Sequence, residues 1–111
     1  MPTSRTDLLH GTLDLLILRT LTLEPQHGWG IARRIHQITK GTFDVKPGSM
    51  FPALRRLEEK GWIASEWRES ENRRQAKYYR LTRPGRHHLD EALANWTRVA
   101  NAIGWAIEAT S

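Results

Sequence analysis

The sequence contains no cysteine, and this absence excludes two kinds of chemistry. A chain without thiols forms no disulfide bond, and it offers no thiolate to a metal ion or to a redox reaction. The compartment that such a chain fits most simply is a reducing cytoplasm. With 111 residues it is sized for one small domain. The core of such a domain is modest, so that oligomerisation would be a useful addition to its stability.

The chain also lacks an uninterrupted apolar stretch of the length that a membrane span needs. The N-terminal segment MPTSRTDLLHGTLDLLILRTL is rich in leucine, but Asp14 and Arg19 interrupt it and no small-residue cleavage site follows. A span needs about 20 predominantly apolar residues, and a secretory signal ends in such a cleavage site. We therefore expect a soluble, cytoplasmic protein without a membrane partner.

Groups that support catalysis are sparse. The five histidines are scattered, with no nucleophile or carboxylate placed to orient them, and the adjacent His87 and His88 point in different directions on a helix. We therefore expect no enzyme, no cofactor and no metal site. His27 precedes the second predicted helix, where a capping or packing role is expected.

Acidic residues are outnumbered by basic ones. Twelve Asp or Glu stand against 17 Lys or Arg, which makes the formal net charge +5 and the pI about 10.2. A basic chain favours a polyanion, either nucleic acid or an anionic membrane surface. Residues 46–86 carry eleven Lys or Arg and five Glu, and this net +6 accounts for the whole excess.

Two apolar helices are predicted in the first 41 residues. Residues 11–23 have apolar side chains on two sides, which requires two packing partners. Leu13, Leu16, Ile17 and Leu21 form one side, and Leu8, Leu15 and Leu18 form the other. The segment GWGIARRIHQITKG places Ile31, Ile35 and Ile38 at helical spacing and ends at a C-cap glycine, Gly41.

A third helix is predicted in GSMFPALRRLEEKGWI, residues 48–63. Proline is tolerated in a first helical turn, so Pro52 predicts a helix start near Ser49, a good N-cap. One face is apolar, with Met50, Ala53, Leu54 and Leu57. The opposite face carries Phe51, Pro52, Arg55, Arg56 and Glu59. Glu58 and Glu59 are expected to pair with Arg55 or Lys60 along the helix.

A β-hairpin is predicted next, because WIASEW and AKYYRL have period-two patterns on either side of the polar RESENRRQ. Three helices followed by a hairpin with a basic tip are the order of a winged helix, whose third helix enters the major groove. Arg55 and Arg56 are therefore candidates for base or phosphate contact, and further candidates are Lys46, Ser49, Phe51, Arg73, Arg74 and Lys77.

The last helix begins after Thr82, a predicted N-cap, with Pro84 in its first turn. Apolar residues then recur at heptad spacing: Leu89, Leu93, Trp96, Ala100, Ile103 and Ile107. About 27 residues make a helix of about 40 Å, which is longer than so small a domain is wide. We expect residues 1–82 to form the winged-helix domain and residues 83–111 a dimerisation helix, with Leu8, Leu15 and Leu18 completing the interface.

These segments carry a family resemblance. TLDLLILRTL, HGWGIARRI, GSMFPALRRLEEKGWI, ENRRQAKYYRLT and Gly85 resemble successive blocks of the PadR-like transcriptional regulators, the branch with a short C-terminal helix. The resemblance implies a homodimeric repressor on an inverted-repeat operator of double-stranded DNA, released by a small molecule. It adds Pro52 to the recognition helix and Asn72 to the wing. The family usually has Tyr where this chain has Phe51 and Trp29, so Trp29 is expected in the core or beside DNA.

Five tryptophans in so short a chain suggest an aromatic ligand, since flat compounds bind well between indoles. Trp96 lies on the heptad seam, where it would approach its symmetry mate in a dimer. Two roles of Trp96 remain open: it binds a drug-like effector between the two rings, or it only packs in the dimer interface. Two other functions also remain: a winged-helix module that binds protein, and a non-specific DNA binder.

Overall fold

The computed structural model describes the backbone of residues 5–110 and the side chains of residues 11–109. Within that range the chain forms four helices and three strands. In chain order these are α1 (Arg5–Leu21), β1 (Gln26–His27), α2 (Gly28–Ile38), α3 (Pro47–Glu59), β2 (Ile63–Glu69), β3 (Gln75–Leu81) and α4 (Arg83–Thr110). The predicted fold class, mainly helical with a β-hairpin wing and a long C-terminal helix, is confirmed. None of the helices described has the length and apolar character that crossing a bilayer requires.

The small sheet contains one strand that the sequence pattern did not predict. β1 pairs antiparallel with β3, through Gln26 with Tyr79 and His27 with Tyr78, so that the strand order is β1, β3, β2. Two residues are too few to show a period, which is why the pattern missed this strand. His27 also caps α2, since its Nδ1 accepts a hydrogen bond of 3.0 Å from the Gly30 amide. The predicted capping role is confirmed.

Helix α3 begins earlier than predicted. Its first residue is Pro47, its N-cap is Lys46, and the Lys46 carbonyl already accepts hydrogen bonds from the amides of Ser49 and Met50. The prediction that Ser49 caps the helix is therefore wrong. A residue before proline is held extended and proline suits the first helical position, so Pro47 sets the boundary. Pro52 lies inside the helix, where it provides no amide for the turn before it.

The core lies where α1, α2 and α3 meet the hairpin and the start of α4. All four residues predicted for the apolar face of α3 are buried. Leu18 and Leu89 are each 1% exposed and belong to this core, so the prediction that they lie at a dimer interface is wrong. Each completes the packing of its own chain and has no surface left for a partner. Ile38 shares the helical spacing of the buried Ile31 and Ile35, but it is 46% exposed in the last turn of α2.

The N-terminal part of helix α4 is anchored to the core. The Thr82 hydroxyl accepts a hydrogen bond from the Gly85 amide, which confirms the predicted cap, and the Trp62 ring stacks on His88 at 3.5 Å. Leu93 also packs against the core, the helix faces α1 as far as Val99, and the rest of the 28-residue helix extends past the domain. The molecule measures 56 × 28 × 26 Å, as expected of a helix about 42 Å long.

Candidate nucleic-acid interface

The outer face of α3 is the first part of the site. Phe51, Pro52 and Arg55 are all exposed on it, as predicted, while the buried face packs on α1 and α2. Because the four apolar residues of the buried face fix the rotation of the helix, the position of Arg55 follows from them. Its guanidinium is available to base edges or phosphates, which arginine binds in a bidentate manner.

Arg56 is not part of that outer face. Its Nη2 lies 2.8 Å from Oδ1 of Asp14 on α1, and the two side chains are 29% and 17% exposed. Arg56 is therefore ion-paired and partly buried rather than free on the solvent face beside Arg55, because one residue further along a helix is a rotation of about 100°. Its contact with DNA stays a prediction. Arg56 thus joins the recognition helix to α1.

The N-terminal end of α3 presents a second set of polar groups. Ser49 is exposed in the first turn, and the exposed Lys46 precedes the helix and pairs with Asp44 at 2.7 Å. The hydrogen bond and the charge of Lys46 lower the pKa of the Asp44 carboxyl. Both side chains of this pair are largely solvated, so the pair competes weakly with a phosphate. The helix N-terminus itself favours an anion.

The tip of the wing is a tight turn. The Ser70 amide bonds the Arg74 carbonyl at 2.8 Å, the Arg73 amide bonds the Ser70 carbonyl at 3.0 Å, and Arg73 has a positive φ of 59°. This is the three-residue hairpin loop in which a type I turn is followed by a left-handed residue. Asn72, Arg73 and Arg74 are exposed there, which places two cations at the end of the hairpin.

Lys77 lies away from this tip, on β3 opposite Trp67. Its Nζ is 3.3 Å from Oε1 of Glu58 on α3, and the Ser65 hydroxyl donates a hydrogen bond to the other carboxylate oxygen. The bond from Ser65 and then the Lys77 ammonium hold the pKa of the Glu58 carboxyl below its ordinary value. Lys77 thus lies within the strand and is ion-paired, whereas Arg73 and Arg74 are at the tip, and the pairing predicted for Glu58 along its own helix is wrong.

Two exposed tryptophans border the site: Trp29, which was predicted either in the core or beside DNA, and Trp67, which was not among the predicted contacts. Trp29, at the start of α2, is 67% exposed, so a core position is wrong for it. It lines a shallow cleft with Phe51, whose ring lies against the backbone of Gly28. Trp67, on β2, is also 67% exposed. The sequence did contain a signal for Trp29, because a tryptophan stands there at a position where the PadR-like family usually has tyrosine.

Apart from the buried Leu89, the predicted dimer residues of α4 divide into two groups. Leu93 and Ala100 are partly buried, whereas Trp96, Ile103 and Ile107 are more than half exposed. On α1, Leu15 is partly buried, and the side chain of Leu8 lies outside the described residues. A cleft of about 320 Å³ separates α1 from α4, and it is lined by Gly11, Thr12, Leu15, Ala92, Asn95, Trp96 and Val99.

The arrangement suits phosphate binding better than catalysis. Exposed cations lie on two elements, at the outer face of α3 and at the tip of the wing. Among the side chains of residues 11–109, no three acidic or histidine groups come together in a way that would hold a metal ion. Lys and Arg on protruding elements neutralise phosphates and release counterions, which is the main source of affinity for DNA.

Known proteins resemble this chain over most of its length. The profile of the transcriptional regulator PadR-like family matches residues 17–91. An uncharacterised protein of Lysinibacillus sphaericus is 30% identical over 94% of this chain and 95% of its own. A transcriptional regulator of Clostridium thermocellum has a TM-score of 0.79 at 26% identity, covering 88% of this chain and 95% of that one. A PadR family transcriptional regulator of Eggerthella lenta has a TM-score of 0.76 at 31% identity, covering 93% and 88%. With the winged helix and its basic face, these matches establish that the chain belongs to the PadR-like family of DNA-binding transcriptional regulators.

Proposed function

We propose that this protein is a homodimeric repressor that binds an inverted-repeat operator in the cytoplasm and is released by a small aromatic molecule. Residues 1–82 bind DNA in this proposal, and residues 83–111 hold the dimer together. The observation that carries the DNA-binding part is the exposure of cations on both protruding elements, Arg55 on α3 and Arg73 and Arg74 on the wing.

The two elements have different tasks. Arg55 projects from a helix of the size that the major groove admits, where an arginine distinguishes guanine from other bases. The wing arginines contact backbone phosphates or the adjacent minor groove, with Asn72 beside them. Lys46, Ser49 and the start of α3 bind a phosphate at the other end of the helix. Phe51 and Pro52 pack against the DNA backbone together with Trp29.

Two alanine variants test these tasks on a duplex selected by the protein from a random pool. Arg55→Ala is expected to weaken binding by about 1–3 kcal/mol and to relax the preferred sequence at one position. Arg73→Ala is expected to weaken selected and random duplexes alike, and to reduce the salt slope by about one. Retardation in gels at several salt concentrations measures both.

The matched control is Arg86→Ala, which removes the same charge from an exposed site on α4, near the base of the wing. It is expected to leave the sequence preference unchanged and to weaken binding less than the other two. No retardation of any duplex would favour a protein-interaction module, in which the exposed seam of α4 binds another protein. Equal affinity for random and inverted-repeat duplexes would favour a non-specific DNA binder.

The dimer rests on the part of α4 that extends beyond the domain. Trp96 and Ile103 are 59% and 55% exposed on one stripe of the helix, next to the partly buried Ala100. Apolar residues at heptad spacing pack against a second helix, and a two-fold axis makes the same stripe serve both chains. Leu8 and Leu15 on α1 are the proposed neighbours. Such a dimer places two recognition helices about 34 Å apart, one turn of DNA.

The small-molecule part of the proposal rests on the cleft between α1 and α4. Its volume of about 320 Å³ is at the lower end of what a drug-sized ligand occupies, and Trp96 forms part of its wall. In a dimer, two such clefts and two Trp96 rings would lie close together. A flat aromatic ligand between the rings would bind by stacking.

Intrinsic fluorescence tests this site. A planar aromatic dye such as acridine is expected to quench the tryptophan emission in a saturable way, and Trp96→Ala is expected to abolish the saturable part. Trp105→Ala is the control, since Trp105 is also more than half exposed on the same helix but is not among the residues that line the cleft. Saturable quenching that survives in Trp96→Ala would leave interface packing as the role of Trp96.

A further inference from the structure

Glu58 connects the recognition helix to the wing. It lies near the end of α3, and its two carboxylate oxygens have separate partners on the hairpin: the Ser65 hydroxyl on β2 and the Lys77 ammonium on β3. Ser65 pairs with Tyr79 in the ladder, two residues from Lys77, so Glu58 binds both strands at nearly the same level. Among residues 11–109, the side-chain hydrogen bonds that join α3 to these strands both end on Glu58.

Because of the position of this contact along the hairpin, a small rotation there moves the tip of the wing. The core holds the hairpin at this level through Tyr79, which pairs with Ser65, and below it through Ile63; these side chains are 6% and 2% exposed. Above it, two residues of β3 and the tight turn lead from Lys77 to the tip, a distance below the roughly 17 Å that five fully extended residues would span. A rotation of about 10° at the level of Glu58 would therefore move the tip by about 2–3 Å, enough to break a hydrogen bond at the tip.

We propose that Glu58 is a positioning residue that sets the angle between the recognition helix and the wing, so that Arg73 and Arg74 reach the DNA backbone while Arg55 lies in the major groove. This inference rests on the proposed function, because it assumes that the wing tip contacts DNA. Glu58 itself touches no DNA in this proposal. The negative charge of Glu58 would repel the phosphates of DNA, so Glu58 does not contribute to binding directly. Its contacts with both strands of the hairpin allow it to act by positioning the wing.

The partial exposure of the contact between Glu58 and Lys77 supports a role in positioning the wing rather than a contribution to the free energy of folding. The side chains of Glu58 and Lys77 are 34% and 38% exposed, so solvent screens their attraction and the ion pair contributes little to folding. The orientation of the Glu58 carboxylate is nevertheless well defined, since each of its two oxygens has a hydrogen-bond partner on the hairpin. The Lys77 ammonium is held in addition over the Tyr79 ring, 5.6 Å from its centre.

A double-mutant cycle tests the inference. DNA affinity is measured for Glu58→Gln in the unsubstituted protein and in the wing-tip variant Arg73→Ala/Arg74→Ala, on the selected duplex. Glu58→Gln is expected to weaken binding about threefold in the unsubstituted protein and to have no further effect when the wing-tip arginines are absent. Equal weakening in both backgrounds would overturn the positioning role while leaving the wing contact in place.

The wing-tip variant on its own distinguishes a failure of the proposed wing contact with DNA from a failure of the inference about Glu58. If it binds the selected duplex as tightly as the unsubstituted protein, the wing does not contact DNA, and both that part of the proposed function and this inference are wrong. If it binds more weakly, the proposed wing contact stands and the cycle decides on Glu58.

Two further variants control for charge and folding. Glu59→Gln removes the same charge from the adjacent, exposed position of α3 and is expected to leave binding unchanged or slightly tighter. Lys77→Met breaks the same contact while lowering the net charge by one, and it is expected to lose its effect in the wing-tip variant in the same way. Thermal unfolding establishes that each variant is folded. An effect of Lys77→Met that persists undiminished in the wing-tip variant would count against the inference.

Discussion

Replacing Gly85 by alanine is expected to lower the free energy of unfolding by about 2–4 kcal/mol, a large part of the stability of a domain of this size. Gly85 is buried in the first turn of α4, and a Cβ atom there would overlap the backbone carbonyl of Trp62. That carbonyl accepts a hydrogen bond of 3.1 Å from the Thr82 amide. Because the obstacle is backbone, no side-chain rotation relieves the clash. Urea and thermal unfolding measure the loss.

Gly48→Ala is the matched control, since it adds the same methyl group where no neighbouring atom lies within 4 Å. Its effect on unfolding is expected to stay within about 0.5 kcal/mol. If the two alanine variants unfold at the same urea concentration, the close approach of α4 to the loop before β2 is not a feature of the protein in solution. The expected contrast would tie the orientation of α4, and hence of the proposed dimer, to a single glycine.

Ile103→Glu is expected to convert the proposed dimer into monomers at micromolar concentration and to weaken binding to the selected duplex by about 100-fold or more. The reason is that Ile103 is 55% exposed on the heptad stripe, so two carboxylates would face each other across the two-fold axis. A monomer binds one half-site and loses the effective concentration that links the two. Light scattering measures the mass, and gel retardation measures the affinity.

Asn101→Glu is the control for this experiment. It adds a carboxylate two residues earlier on the same helix, at an exposed position about 160° away around the axis. It is expected to leave the dimer intact and to reduce DNA affinity only through its charge. A monomeric unsubstituted protein, or equal dissociation in the two variants, would contradict a dimer built on this stripe.

Much of the fold was predictable because its helices are long and strongly periodic. The four buried residues of α3, the caps at His27 and Thr82 and the hairpin all followed from spacing and capping rules. The start of α3 was misplaced because two prolines, Pro47 and Pro52, each satisfied the rule for a first turn. The local rule alone could not choose between them, and the structure begins the helix at the earlier one.

The candidate site was less predictable, because exposure on a helix does not reveal what a neighbouring element offers. Arg55 and Arg56 are adjacent in the sequence and equally basic. Only the packing of α1 beside α3 brings Asp14 within 2.8 Å of Arg56 and leaves Arg55 exposed. In the same way, Lys77 lies in a basic stretch of the wing, and its partner Glu58 is 19 residues away in the chain.

The sequence by itself determined the order of the four helices and the hairpin, the apolar faces that must be buried, the concentration of positive charge between residues 46 and 86, and the family to which these belong. These properties depend on local spacing and composition, which do not require knowledge of distant neighbours. Only the tertiary structure decided which charges are paired, which leucines belong to the core, and why position 85 requires a glycine. Each of those depends on contacts between segments far apart in the chain, and no local pattern encodes the distance between them.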